Sequence, residues 1–173
     1  MISIAALLLL STQAPAQTVL LGDPLNWGNQ FFVKISNEKF PQAGGNFSVK
    51  NDDLLLNGKK VWLWSISSRR PTTRVKTIEI SVSASGGKEK HISVPSQMLK
   101  GLVDLSYDPK SGKAGTPFWI DQSGQNFQFR LDFGDGAHAF SAIFMGNTKR
   151  RSIERQVFLG LEGKVLDKIT AKY

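Results

Sequence analysis

Residues 126–146 read NFQFRLDFGDGAHAFSAIFMG. Phe127, Phe129, Leu131 and Phe133 alternate with Gln128, Arg130 and Asp132, the period of a strand with one buried face. The chain returns through Phe140 to Phe144 after Asp135-Gly136, a dipeptide that favours two-residue hairpin turns. A two-residue turn pairs Phe133 with His138, Leu131 with Phe140, Phe129 with Ala142 and Phe127 with Phe144. A three-residue loop, Gly134 to Gly136, instead sets Asp132 opposite His138, a carboxylate–imidazole pair of the kind used in acid–base chemistry. A slip of one residue exchanges the two faces of a strand. Gathering the aromatics on one face therefore selects the two-residue register, and the dyad is set aside.

The same alternation recurs outward from this stretch. In Arg74 to Ser83, Ile78, Ile80 and Val82 share a face. After SGGK the chain returns with Ile92 and Val94 apolar and His91 on the wet side. Turn signals at Asn57-Gly58, Asp108-Pro109, Ser123-Gly124 and Gly146-Asn147 separate many short runs rich in Val, Ile, Phe and Thr. Helical periodicity is limited to two short candidates, Ser96–Lys100 and Val165–Lys172. The pattern is that of an all-β chain: an antiparallel β-sandwich of jelly-roll or immunoglobulin-like class, with a barrel as the alternative. Trp119, flanked by Phe118 and Ile120, reads as part of a strand that is apolar on both sides. Arg155 interrupts the apolar side of Ile153, Val157 and Leu159, as a buried and paired arginine would.

With 173 residues the expectation is one domain. Ile4 to Leu10 form a short apolar run ahead of Ala14-Pro15-Ala16, the pattern of a cleaved export signal. Residues 1–16 are thus expected to be a signal peptide, residues 17–173 the β-sandwich domain, and the location secreted or periplasmic. No transmembrane segment is expected. The chain has no cysteine, which excludes disulfides, thiol catalysis and cysteine-ligated metal. The 22 Lys+Arg against 14 Asp+Glu leave a net charge of +8, which favours anionic partners. The basic residues lie in short scattered groups, Lys149-Arg150-Arg151 among them, so no nucleic-acid partner is expected.

In NDDLLLNGKKVWLWSI, residues 51–66, Asn57-Gly58 predicts a two-residue turn that pairs Leu56 with Lys59 and Leu55 with Lys60. Continued outward, Asp53 faces Trp62 and Asn51 faces Trp64. A carboxylate beside a buried indole is costly, whereas indoles flanked by Asp and Asn suit a sugar: the ring covers the C–H face while amides and carboxylates hold the hydroxyls. Arg69 and Arg70 extend such a site toward acidic sugars. The expected ligand-binding residues are therefore Trp62, Trp64, Asn51, Asp53, Arg69 and Arg70, with no catalytic residue, metal or cofactor. The alternative places both tryptophans in the core. Three functions follow: an exported non-catalytic binding module for glycan or anionic cell-envelope material; a structural or assembly domain that meets a protein partner through a sheet edge; and a polysaccharide-acting enzyme. The last needs paired carboxylates, which no register supplies.

Overall fold

The computed structural model describes residues 18–22, 30–40, 46–51, 53–60, 71–106, 119–134, 139–159 and 164–173. Among them twelve strands run in chain order: β1 (Thr18–Gly22), β2 (Gln30–Lys39), β3 (Phe47–Lys50), β4 (Asp53–Leu56), β5 (Lys59–Lys60), β6 (Thr73–Ser83), β7 (Lys90–Ser93), β8 (Trp119–Ile120), β9 (Asn126–Phe133), β10 (Phe140–Asn147), β11 (Ser152–Leu159) and β12 (Lys164–Lys172). All the pairings are antiparallel. Four strands form a sheet in the order β1-β2-β6-β7, and five form a second in the order β12-β11-β10-β9-β8. The two sheets meet face to face through one apolar core, in which the ring of Phe31 lies 5.5 Å from that of Phe127 and 6.2 Å from that of Phe129. Among the described residues neither sheet closes on itself, so the architecture is a sandwich and the closed-barrel alternative falls. A small meander, β3-β4-β5, interrupts the chain between β2 and β6.

Alternation accounts for the layers. Phe31, Val33 and Ile35 of β2 and Ile78, Ile80 and Val82 of β6 point into the core, as do Phe127, Phe129, Leu131 and Phe133 of β9. Ile80 faces Ile92 and Ser81 faces His91, as the sequence pattern requires. At the β4–β5 turn, Leu56 pairs with Lys59 and Leu55 with Lys60. Asn57 and Gly58 there both take positive φ, 53° and 75°, the signature of a type I′ turn.

The β9–β10 hairpin keeps the expected faces but not the expected partners. Phe133 pairs with Phe140, Leu131 with Ala142, Phe129 with Phe144 and Phe127 with Gly146, a shift of two residues from the Asp135-Gly136 register. A shift of two leaves every side chain on its own face, so the hydrophobic pattern cannot detect it. Ring packing chooses between such registers: Phe133 stacks on Phe140 at 4.8 Å and Phe129 on Phe144 at 4.9 Å. Gly146 leaves room for the Phe127 ring, which a Cβ at that position would overlap. Opposite Asp132 stands Ser141, not a histidine, and its hydroxyl donates to Asp132 Oδ1 at 2.6 Å. Arg130 completes an ion pair with the same oxygen at 2.7 Å. His138 lies outside the described residues.

Two further expectations, a helix at Val165–Lys172 and a strand around Trp119 apolar on both sides, are corrected, and the short helix candidate at Ser96–Lys100 is found as a single turn. Residues 164–172 form the edge strand β12, and Ser96–Leu99 form a single 3₁₀ turn with Met98 and Leu99 buried. Trp119 is 53 % exposed while its neighbour Ile120 is buried, so β8 has one wet face. Arg155 is fully buried, as its position among apolar neighbours implied. Its Nη1 donates to the carbonyls of Met98 (2.5 Å) and Lys100 (2.9 Å), and its Nη2 pairs with Asp167. Burial pulls its pKa down, and the carboxylate of Asp167 acts in the opposite sense.

The segment 102–106 joins the sheets at one end. Val75 N–H donates to Leu102 O and Asp104 N–H to Thr73 O on one side, and Ser106 N–H donates to Asp132 O and Gly134 N–H to Asp104 O on the other. Asp104 holds this clasp in a left-handed conformation, φ 49°. Its Oδ1 accepts from the N–H groups of Thr72 and Thr73, both at 2.9 Å, and from the Thr72 hydroxyl at 2.7 Å.

Candidate binding face

The ladders of the five-stranded sheet place Trp119 opposite Gln128, Gln128 opposite Met145, Met145 opposite Glu154, and Glu154 opposite Thr170. Because the inward neighbours Ile120, Phe127, Phe144 and Ile153 fill the core, these five side chains form one row on the outer face. At the usual strand spacing the row is about 19 Å long. A second row, Asn126, Asn147, Ser152 and Lys172, runs beside it. Between them lies an open groove of about 380 Å³ with the half-exposed indole of Trp119 at one end and Arg150 on its rim.

Hydrogen bonds fix the polar wall. Asn147 Nδ2 donates to Asn126 Oδ1 and Asn126 Nδ2 to Asp121 Oδ2, each at 2.5 Å. Asp121 Oδ1 accepts from Ser123 Oγ at 2.9 Å and from Gln125 N–H at 2.8 Å, the turn expected at Ser123-Gly124. Burial acts to raise the Asp121 pKa, but the bonds from Asn126, Gln125 and Ser123 outweigh it and the net shift is down. Glu154 is lowered mainly by the hydrogen bond from Gln156 Nε2 (2.6 Å); desolvation opposes it, and Lys168 at 3.0 Å and Thr170 add to the lowering, so the net shift is down. Both carboxylates stay ionised and accept hydrogen bonds.

Two other recesses have different chemistry. A cleft of about 440 Å³ near the clasp has an apolar floor that includes Phe40 and Leu99, beneath Arg74, Lys76 and Lys100. Glu38 there meets Arg74 at 2.5 Å and Lys76 at 3.6 Å, one carboxylate against three cations, so the cleft stays positive. On the outer face of the four-stranded sheet, Ser81 Oγ lies 3.0 Å from His91 Nδ1, and His91 Nε2 lies 3.7 Å from Glu89. These are the residue types of a hydrolytic triad, but the His91 and Glu89 side chains are 73 % and 50 % exposed. Water at that exposure weakens the electrostatic contribution such an array relies on. Among the described residues, no group of three or more His, Asp and Glu is placed to hold a metal ion, and no helix is long and apolar enough to cross a membrane.

Of the residues expected to bind ligand, Asn51 is exposed in the β3–β4 turn with φ 49°, and Asp53 opens β4 opposite Lys50. Trp62, Trp64, Arg69 and Arg70 lie outside the described residues, and the β4–β5 ladder is described as far as Leu55 and Lys60. The Trp119 row is absent from the sequence reading. Its signal was the alternation of Gln128 and Arg130 on the wet side of β9, which fixes the face of any strand paired to it. The chain matches no family model, no curated protein and no solved structure.

Proposed function

We propose that this chain is an exported, non-catalytic binding module whose ligand is a glycan of the cell envelope. The observation that carries this reading is an indole left half-exposed at the end of a row that bears amide, carboxylate and hydroxyl groups on one sheet. A flat aromatic covers the apolar face of a pyranose, and fixed polar groups hold its hydroxyls. Such a combination of apolar surface and few oriented polar groups is what small-ligand sites share. An open groove suits a chain ligand that enters from the side. Among the described residues, the non-catalytic part is supported by the two carboxylates beside the groove: hydrogen bonds lower the pKa of both, whereas glycoside hydrolysis needs one carboxyl with a raised pKa as the acid. Export belongs to the same proposal and is supported by the apolar run and small-residue pattern of residues 1–16.

Titration of the chain with a panel of soluble polysaccharides, followed by tryptophan fluorescence and calorimetry, tests the reading. Trp119→Ala should abolish binding and leave the melting temperature unchanged. If that variant binds every polysaccharide as tightly as the parent, the Trp119 face is not the site.

A further inference from the structure

The turn that carries Arg150 is held on three sides. Asn147 Oδ1 accepts from Arg150 N–H at 2.7 Å, Lys172 Nζ donates to Arg150 O at 3.1 Å, and Tyr173 N–H donates to Arg151 O at 3.2 Å. The Arg150 side chain is exposed and lines the groove, and among the described residues its guanidinium has no ion-pair partner. Glu154, the carboxylate lining the same groove, is already engaged by Gln156, Lys168 and Thr170. Among the described residues, the groove therefore holds an anion that is already paired and an exposed cation with no carboxylate partner. Lys149 and Arg151, both exposed, flank Arg150 and raise the local positive potential.

We propose that the groove selects acidic glycans: a uronic acid residue stacks on Trp119 and another sugar carboxylate along the chain meets Arg150. This rests on the glycan reading above and adds the substrate class. A guanidinium presents two parallel N–H donors that match the two oxygens of a carboxylate. Because the backbone of the turn is already fixed, the ordering that remains when the ligand arrives is that of the Arg150 side chain. An extended polyuronate presents a carboxylate on every sugar, so stacking and ion pairing are satisfied together along one chain.

The test uses the full chain with a galacturonic-acid oligosaccharide, its carboxyl-reduced neutral counterpart, and vesicles of anionic phospholipid. The acidic oligosaccharide should bind about tenfold more tightly than the neutral one, the worth of one charge-assisted contact. The preference should shrink as salt rises. Arg150→Gln should remove that preference and keep Trp119-dependent binding of the neutral form, with an unchanged melting temperature. Arg150→Lys should retain part of it. Equal affinity for the two oligosaccharides, with Trp119 still required, leaves the glycan reading standing and overturns the acidic one. A preference that survives Arg150→Gln overturns it too. Binding to the vesicles with neither oligosaccharide bound overturns both.

Discussion

Asp167 on β12 reaches the guanidinium of Arg155 on β11 diagonally, two residues along from Arg155's own ladder partner Ile169. The pair sits where the edge strand closes over the core, and the same guanidinium ties the 3₁₀ turn to the sheet through the carbonyls of Met98 and Lys100. Removing Asp167 leaves a buried positive charge without its counterion. Asp167→Ala should cost about 3 kcal/mol in urea unfolding, the lower end for a broken buried pair because the Asp167 side chain keeps 24 % exposure. Arg155→Met should cost a similar amount, since two carbonyls lose their donor. A loss below about 1 kcal/mol in both variants would show that the pair is not structural.

Trp119 and Phe144 lie on opposite faces of the same sheet, so their truncations should separate. Phe144→Ala opens a cavity beside Phe129 and should cost about 3–5 kcal/mol. Trp119→Ala, at an exposed position, should stay within about 0.5 kcal/mol of the parent. Acrylamide should quench the Trp119 component of the emission, identified by difference with the Trp119→Ala variant. A protected component would place that indole in the core.

The clasp gives a third expectation. Asp104→Ala withdraws the acceptor shared by Thr72 and Thr73 and forces a β-carbon residue without a capping oxygen to hold φ 49°. Its cost should be about 2–3 kcal/mol. Asp104→Gly relieves the backbone but not the hydrogen bonds, and Asp104→Asn retains an acceptor. Thermal unfolding should therefore rank Asn above Gly and Gly above Ala. Any other order would mean that backbone strain, or nothing at this position, governs the clasp.

Acid should weaken the groove-side carboxylates in a defined window. The folded pKa values of Glu154 and Asp121 lie below their ordinary values of 4.5 and 3.8. Folding thus favours the ionised forms: the stabilisation is fully present above the ordinary values and is lost as pH falls through the folded ones. Urea midpoints should be flat from neutrality to about pH 5 and decline below it. Glu154→Gln should flatten part of that decline. An acid limb unchanged by the substitution would assign the decline to other groups.

The strand faces were legible because burial imposes a period of two, and the Asn57-Gly58 turn was legible because both its residues must tolerate positive φ. Partner identity in the β9–β10 hairpin was not, since a two-residue shift preserves that period. The stacking of Phe133 on Phe140 and of Phe129 on Phe144, with the space above Gly146, distinguishes the registers. Trp119 misled because β8 contributes just two residues, too few to display alternation, beside an apolar Phe118. Residues 165–172 resembled a helix because Val165, Leu166 and Ile169 are spaced as on a helical face, and Leu166, the extra residue of β12 where Val157 pairs with Asp167 and Phe158 with Val165, breaks the strand alternation. Asp104 gave no signal at all, as its partners lie 31 and 32 residues away in the chain.

The order of the five-stranded sheet, β8 through β12 without interruption, has a kinetic consequence. Each of its ladders joins strands adjacent in the chain, so the sheet can assemble by successive hairpins with little loop entropy opposing it. The four-stranded sheet must instead bring β2 to β6 across the β3-β4-β5 meander. Pulse-labelled hydrogen exchange should protect amides of β9, β10 and β11 before those of β2. The reverse order would show that the long-range pairing nucleates the domain. On this ordering, the face that carries Trp119 is complete before the half of the sandwich that supports it from behind.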